Sequence, residues 1–298
     1  MVCQAKAALV DFLRKIDYSF PTVRRDHELE SRVKDITSQW PDEASLKPYI
    51  ITCLAIAEIS YSHLLSVEAK AAIAIFTAIL AAIDESAISS SHALALPKIF
   101  CDGSAMHDTD SRIGRLVKVV AQMWDYYPRT SANTIMASCV NYPNGVFLEA
   151  MGVEARVRPY VEYRRWLSGA PEAYSCFVWE KDKCPDERAF IRALPDTIKF
   201  LNHANDIMSF YKEILAGDTG TYIYSRAQVT GKSLIETLHE LIDETVVATK
   251  RARSLLDGEA AKSAWDSFVE GYIQFHVCDP RYRLKEFLNN EYVHYDCY

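Results

Sequence analysis

Apolar residues along this chain recur at helical spacing. From Ala71 to Ile83 the only polar side chain is Thr77, so the segment predicts a helix apolar on all sides, which must be surrounded by other helices. Ser66-Val67-Glu68 offers it a start, and it reaches polar residues at Asp84-Glu85-Ser86. A second helix is predicted from near Pro195, suited to a first helical turn, to a stop at Gly217. A third begins at the capping box Ser233-Leu234-Ile235-Glu236 and runs to about Leu256, with Gly258 as terminator. A fourth spans about Ala260 to Val277 and carries Trp265, Phe268, Tyr272 and Phe275. Period-two alternation bounded by turns is weak everywhere. The pattern predicts one all-α domain over residues 1–298, with no linker, repeat or low-complexity tract.

Composition sharpens this. Only 11 prolines and 10 glycines occur in 298 residues, 49% of which are of hydrophobic type, favouring long helices and a core large enough to hold a cavity. The net charge is −7, with no Lys/Arg-rich tract. Nucleic acid is therefore not expected as a partner, because phosphate-backbone binding needs clustered positive charge. The eight cysteines are scattered without a CxxC pair or zinc spacing, as expected of free thiols in a reducing compartment. The first residues show no signal-peptide core. The 71–83 run is too short to span a bilayer. The expectation is a cytoplasmic protein that does not engage membranes.

Chemistry enters with Asn205-Asp206-Ile207-Met208-Ser209-Phe210-Tyr211-Lys212-Glu213. Asn205, Ser209 and Glu213 recur every four residues and stack on one helix face. A carboxamide oxygen, a hydroxyl and a carboxylate are hard donors of the type Mg²⁺ prefers. The bland alternative is a solvated polar stripe. Lys212 adds a cation able to meet an anion bridging the metal. Asp84-Glu85-Ser86 places carboxylates at the end of the apolar helix, where they oppose the helix dipole by roughly 0.3–1 kcal/mol. A bound cation would relieve that cost, although a water-exposed helix end is the simpler reading. Arg281, in Asp279-Pro280-Arg281-Tyr282-Arg283, offers a fork for phosphate oxygens, with the Tyr282 hydroxyl beside it. Tyr163-Arg164-Arg165-Trp166 is a second arginine pair among aromatics. Each alone reads equally as surface charge; together they describe a diphosphate held by Mg²⁺ at the mouth of an apolar pocket.

These residues resemble the class I terpene synthases, in particular the trichodiene synthase-like fungal sesquiterpene cyclases. The 205–213 run resembles their NSE metal motif, and 279–284 their Arg-Tyr segment. Tyr163-Arg164-Arg165, followed by Trp179, is similar to their diphosphate-sensing region. The likeness covers roughly residues 70 to 290. It implies an α-helical bundle around a deep apolar cavity, and three Mg²⁺ ions per site. Asn205, Ser209 and Glu213 would chelate one ion and Asp84 would bind others. Arg164 would sense the diphosphate, with Arg165 as the neighbouring candidate. Lys212, Arg281 and Tyr282 would hydrogen-bond it. The resemblance is compatible with a homodimer. One departure is clear: where the family carries further aspartates after the first, this chain has Glu85 and Ile88. Isoleucine cannot bind a metal, and glutamate reaches one methylene further.

The reaction implied is Mg²⁺-dependent ionisation of farnesyl diphosphate and cyclisation of the carbocation, with release of diphosphate. Phe76, Tyr142 and Phe147 are candidates for the cavity wall, and equally for ordinary core packing. Two other readings stand beside it: a prenyltransferase, which would be expected to show a second aspartate-rich motif in place of NSE, and a non-catalytic helical protein that binds prenyl diphosphate.

Overall fold

The computed structural model describes residues 1–87, 91–102, 110–293 and 295, and for 84–87, 91–95 and 102 the backbone alone. Every regular element among them is helical. The α-helices are α1 (Val2–Lys15), α2 (His27–Thr37), α3 (Glu43–Ala55), α4 (Val67–Ala87), α5 (Ser91–Asp102), α6 (Arg112–Tyr126), α7 (Arg129–Ala150), α8 (Arg158–Leu167), α9 (Pro171–Cys176), α10 (Leu194–Ala216), α11 (Tyr222–Thr230), α12 (Leu234–Ser254) and α13 (Glu259–Cys278). A π-helical turn, Ile56–Ser60, continues α3.

The predicted helices form for the predicted reasons. In α4 the Ser66 Oγ accepts from the Ala69 N–H at 3.1 Å. Every residue from Ala69 to Leu80 is buried, and α2, α3 and α6 pack around it. Helix α10 has Pro195 in its first turn and ends on Gly217 at φ 67°, a conformation glycine adopts without a Cβ clash. Ser233 and Glu236 close the capping box of α12 in both directions. Asp196 in the first turn of α10 pairs with Arg251 of α12 at 2.6 Å.

The interior is strongly aromatic. Trp179 stacks on Phe190 at 4.7 Å and on Trp265 at 6.4 Å. Phe200, Phe268 and Tyr272 continue the cluster along α10 and α13, while Phe76 meets Phe177 edge-on at 5.5 Å. Tyr174 and Tyr272 combine two properties. Burial pushes both hydroxyl pKa values up, yet both rings keep some accessible surface. The predicted wall residue Phe76 is fully buried, Tyr142 nearly so, and Phe147 partly exposed.

Among the described residues no helix is long and apolar enough to cross a membrane. The seven described cysteines are free thiols, Cys3 and Cys101 exposed and the others buried.

Candidate active site

Helix α10 carries the oxygen face. The Ser209 hydroxyl donates to Glu213 Oε1 at 2.6 Å, so the i, i+4 spacing brings these two donors together. Asn205 lies one turn earlier. Its carboxamide nitrogen is 3.1 Å from His276 Nε2 on α13. Burial raises the Glu213 pKa, more than the Ser209 hydrogen bond lowers it. A desolvated carboxylate without a cation at contact distance is what a divalent ion would reverse.

Opposite α10 stands α8. The two arginines of its last turn have different fates. Arg165 Nε reaches both Asp206 carboxylate oxygens, at 3.0 and 2.9 Å; Nη1 donates to the Ser168 carbonyl and hydroxyl, and Nη2 to the Asn202 carbonyl at 3.0 Å. Nε and Nη2 tie α8 to α10, and Nη1 closes the C-terminal end of α8 on Ser168. Among the described residues the Arg164 guanidinium makes one hydrogen bond, Nη2 to Ser225 Oγ at 2.8 Å on α11, and has donors left for a ligand. Gly145 of α7 sets where α8 lies: a Cβ there would stand 2.6 Å from the Leu167 carbonyl oxygen.

The third wall follows α13. Asp279 Oδ1 accepts from the Arg281 N–H at 2.8 Å, folding Pro280–Tyr282 into a single 3₁₀ turn that ends on Arg283 at φ 62°. Neighbours in sequence therefore separate in space. Arg281 is exposed, whereas Tyr282 is buried, its ring 4.5 Å from that of His276.

These walls enclose a pocket of about 460 Å³ lined by Arg164, Arg165, Asn205, Asp206, Glu213 and Arg281, among others. Of the residues singled out from sequence, Arg164, Arg165, Asn205, Glu213 and Arg281 share this pocket. Ser209 is buried and reaches it through Glu213. Lys212 and Tyr282 stand behind the lining, with the Lys212 ammonium 5.8 Å above the Tyr282 ring; burial lowers the Lys212 pKa, and Arg281 adds to the effect. The side chains of Asp84 and Glu85, and residue Ile88, lie outside the described residues. Sequence reasoning gave no role to Asp206, Ser225 or His276. Asp206 was hidden inside the motif itself, and His276 is a lone imidazole on an apolar helix.

The donor chemistry suits Mg²⁺. Among the described residues no three His, Cys, Asp or Glu side chains form a metal cage. The α10 face instead offers amide, hydroxyl and carboxylate oxygens at one-turn intervals, and a hard cation accepts such a set.

Known proteins resemble this chain over most of its length. The family model described as trichodiene synthase matches residues 42–294. Monoterpene synthase 25 of Postia placenta is 38% identical over 97% of this chain and 88% of its own length. Alpha-cuprenene synthase COP6 of Coprinopsis cinerea is 25% identical over 96% of this chain and 90% of its own. Among solved structures, grey poplar isoprene synthase, crystallised with three Mg²⁺ ions and dimethylallyl-S-thiolodiphosphate, aligns over 92% of this chain with a TM-score of 0.52 and 14% identity. This chain spans about half of that plant protein, 54% of its length, and the likeness speaks for the fold alone. With an all-helical fold and a family match over most of its length, the chain belongs to the trichodiene synthase family and is a class I terpene synthase.

Proposed function

We propose that the chain, as one catalytic domain, ionises farnesyl diphosphate in the presence of Mg²⁺ and cyclises the resulting carbocation to a sesquiterpene. The observation that carries this reading is that Arg164, Asn205, Glu213 and Arg281 line one pocket. Two oxygen donors on α10, with Ser209 hydrogen-bonded behind Glu213, thereby share one compartment with two guanidinium groups.

Asn205, Ser209 and Glu213 would hold one Mg²⁺, and Asp84 on α4 further ions. Bound Mg²⁺ supplies Lewis-acid stabilisation of the leaving diphosphate and fixes its position. Arg164 and Arg281 donate to the non-bridging diphosphate oxygens, where negative charge grows as the carbon–oxygen bond breaks. Lys212 adds positive potential behind the pocket; its depressed pKa reflects burial and the nearby Arg281. Tyr282 is buried behind the pocket, its ring against that of His276. The aromatic interior excludes water from the cation and offers ring faces worth up to about 2 kcal/mol each when desolvated.

The relative named monoterpene synthase favours a second substrate reading, geranyl diphosphate. One experiment separates the two. Purified protein is incubated with Mg²⁺ and, separately, farnesyl or geranyl diphosphate, and the headspace is analysed by gas chromatography. A fifteen-carbon hydrocarbon or alcohol is expected. Turnover of geranyl diphosphate alone would overturn the substrate assignment, and no product from any prenyl diphosphate would overturn the reading as a whole. Isopentenyl diphosphate added to the same assay should not be consumed, which distinguishes cyclisation from chain elongation.

A further inference from the structure

We propose that His276 is a positioning residue: it fixes the Asn205 side chain so that the carboxamide oxygen, not the nitrogen, faces a divalent cation in the pocket. The inference rests on the reading of Asn205 as a metal ligand and adds to it the group that makes Asn205 competent.

A carboxamide is nearly symmetric in shape, so packing cannot tell its oxygen from its nitrogen. Only the hydrogen-bond partners can. His276 Nδ1 lies 2.7 Å from the Tyr272 carbonyl oxygen. A carbonyl only accepts, so Nδ1 carries the proton. In the neutral ring Nε2 then presents a lone pair, and it faces Asn205 Nδ2 at 3.1 Å. The amide donates to the imidazole, and the run from carbonyl to imidazole to amide has a single direction. Turned over, the amide would set Oδ1 against the Nε2 lone pair, leaving two acceptors facing each other and the nitrogen offered to the metal. Neither is tolerated at a hard-cation site.

The ring cannot swing out of this role. It is fully buried, and it is packed between Tyr272 at 4.7 Å, Phe275 at 5.1 Å and Tyr282 at 4.5 Å, centroid to centroid. Helix α13 thus reaches across to α10 through one imidazole. Metal-bound histidines are commonly oriented by an outer partner; here the histidine is the outer partner and the ligand is an amide.

The test is Mn²⁺ binding, read by electron paramagnetic resonance with inorganic diphosphate present and no turnover. His276→Phe keeps the aromatic packing and removes the acceptor. It should weaken Mn²⁺ binding about 10- to 100-fold, the range known for lost outer partners, and His276→Gln, which restores an acceptor, should recover part of that. The double variant with Asn205→Ala should bind no more weakly than Asn205→Ala alone. If Asn205→Ala weakens Mn²⁺ binding and His276→Phe does not, or if the two losses add, the positioning role is overturned. If Asn205→Ala itself leaves Mn²⁺ binding unchanged, the metal reading of α10 fails first. The wild-type tautomer, read by nitrogen-15 NMR of histidine-labelled protein, is independent of how any variant folds: Nε2 must be unprotonated, and an Nε2–H tautomer overturns the proposal.

Discussion

Two clusters of charge lie close together in this molecule and are built in opposite ways. The first, behind α8, centres on Arg226 of α11. Its guanidinium is fully buried and reaches Glu244 at 2.5 Å, the Tyr222 hydroxyl at 3.2 Å, and Glu240 and Glu162 at 3.8 and 3.9 Å. Glu244 is met in addition by Arg158 at 3.1 Å and Lys199 at 3.2 Å. Burial pushes the Glu244 pKa up, but Arg226 and Lys199 outweigh it and the carboxyl falls to about 2. The second cluster is the pocket. There burial dominates at Glu213, whose carboxyl is raised. Charge matched by charge is what a scaffold requires. Asp206 is matched by Arg165, but Glu213, desolvated and without a salt bridge among the described residues, is held ready for cations that are not part of the chain. Mutation should therefore cost stability in the first cluster and activity in the second.

The largest expected effect tests the first half of that contrast. Arg226→Met leaves Glu244 and its neighbours without their central partner. Breaking a buried ion pair from one side costs about 3–5 kcal/mol. A fall of that size in unfolding free energy, measured by denaturant titration, is expected, with the turnover of the remaining folded enzyme retained. A variant as stable as the parent would show that the cluster does not hold α11 against α12.

Glu213→Gln tests the other half. It keeps the shape and the hydrogen bond from Ser209, and removes the charge. Turnover should drop about 10²–10³-fold, the usual cost of deleting one electrostatic stabiliser. The melting temperature should hold or rise, because a carboxylate with a raised folded-state pKa destabilises the fold above that pKa. A large loss of stability with activity intact would erase the distinction between the clusters.

How much of this was legible in the sequence follows from the range of each interaction. Helices α4, α10, α12 and α13 were readable because their signals are local: Ser66, Pro195, Gly217 and the Ser233/Glu236 pair act within a few residues of themselves. The face of Asn205, Ser209 and Glu213 was readable for the same reason. The division of labour between Arg164 and Arg165 was not. The two are adjacent, and only tertiary packing puts Asp206 against one and Ser225 against the other. The separation of Arg281 from Tyr282 depends on a single 3₁₀ turn ending in a left-handed residue, with no glycine to announce it. His276 lies 71 positions from the side chain it meets, beyond any spacing rule.

A smaller effect is expected from acid. Glu244 has its folded-state pKa depressed from 4.5 to about 2, so it contributes stability that is complete above 4.5 and lost as pH falls toward 2. The contribution is on the order of 2 kcal/mol after allowance for partial exposure. Replacing Glu244 by Gln should flatten the stability profile between pH 5 and pH 2 by about that amount. An unchanged profile would mean that the acid sensitivity of the fold lies elsewhere.

The smallest effect lies where the two clusters touch. Ser225 and Arg226 are consecutive on α11: the hydroxyl of one accepts from Arg164 in the pocket, and the guanidinium of the other anchors the cluster behind it. If the clusters are independent, Ser225→Ala releases Arg164 alone. One hydrogen bond to a charged donor contributes about 1.5 kcal/mol, so kcat/KM should fall about tenfold, with unfolding free energy changed by less than the Arg226→Met loss. If they are coupled through α11, Ser225→Ala and Arg226→Met should be non-additive in the double variant, because loosening α11 would already have moved the hydroxyl away from Arg164. Additive losses would establish that the helix carries two separate functions on adjacent residues, with the scaffold complete on one side and the site left for its cations on the other.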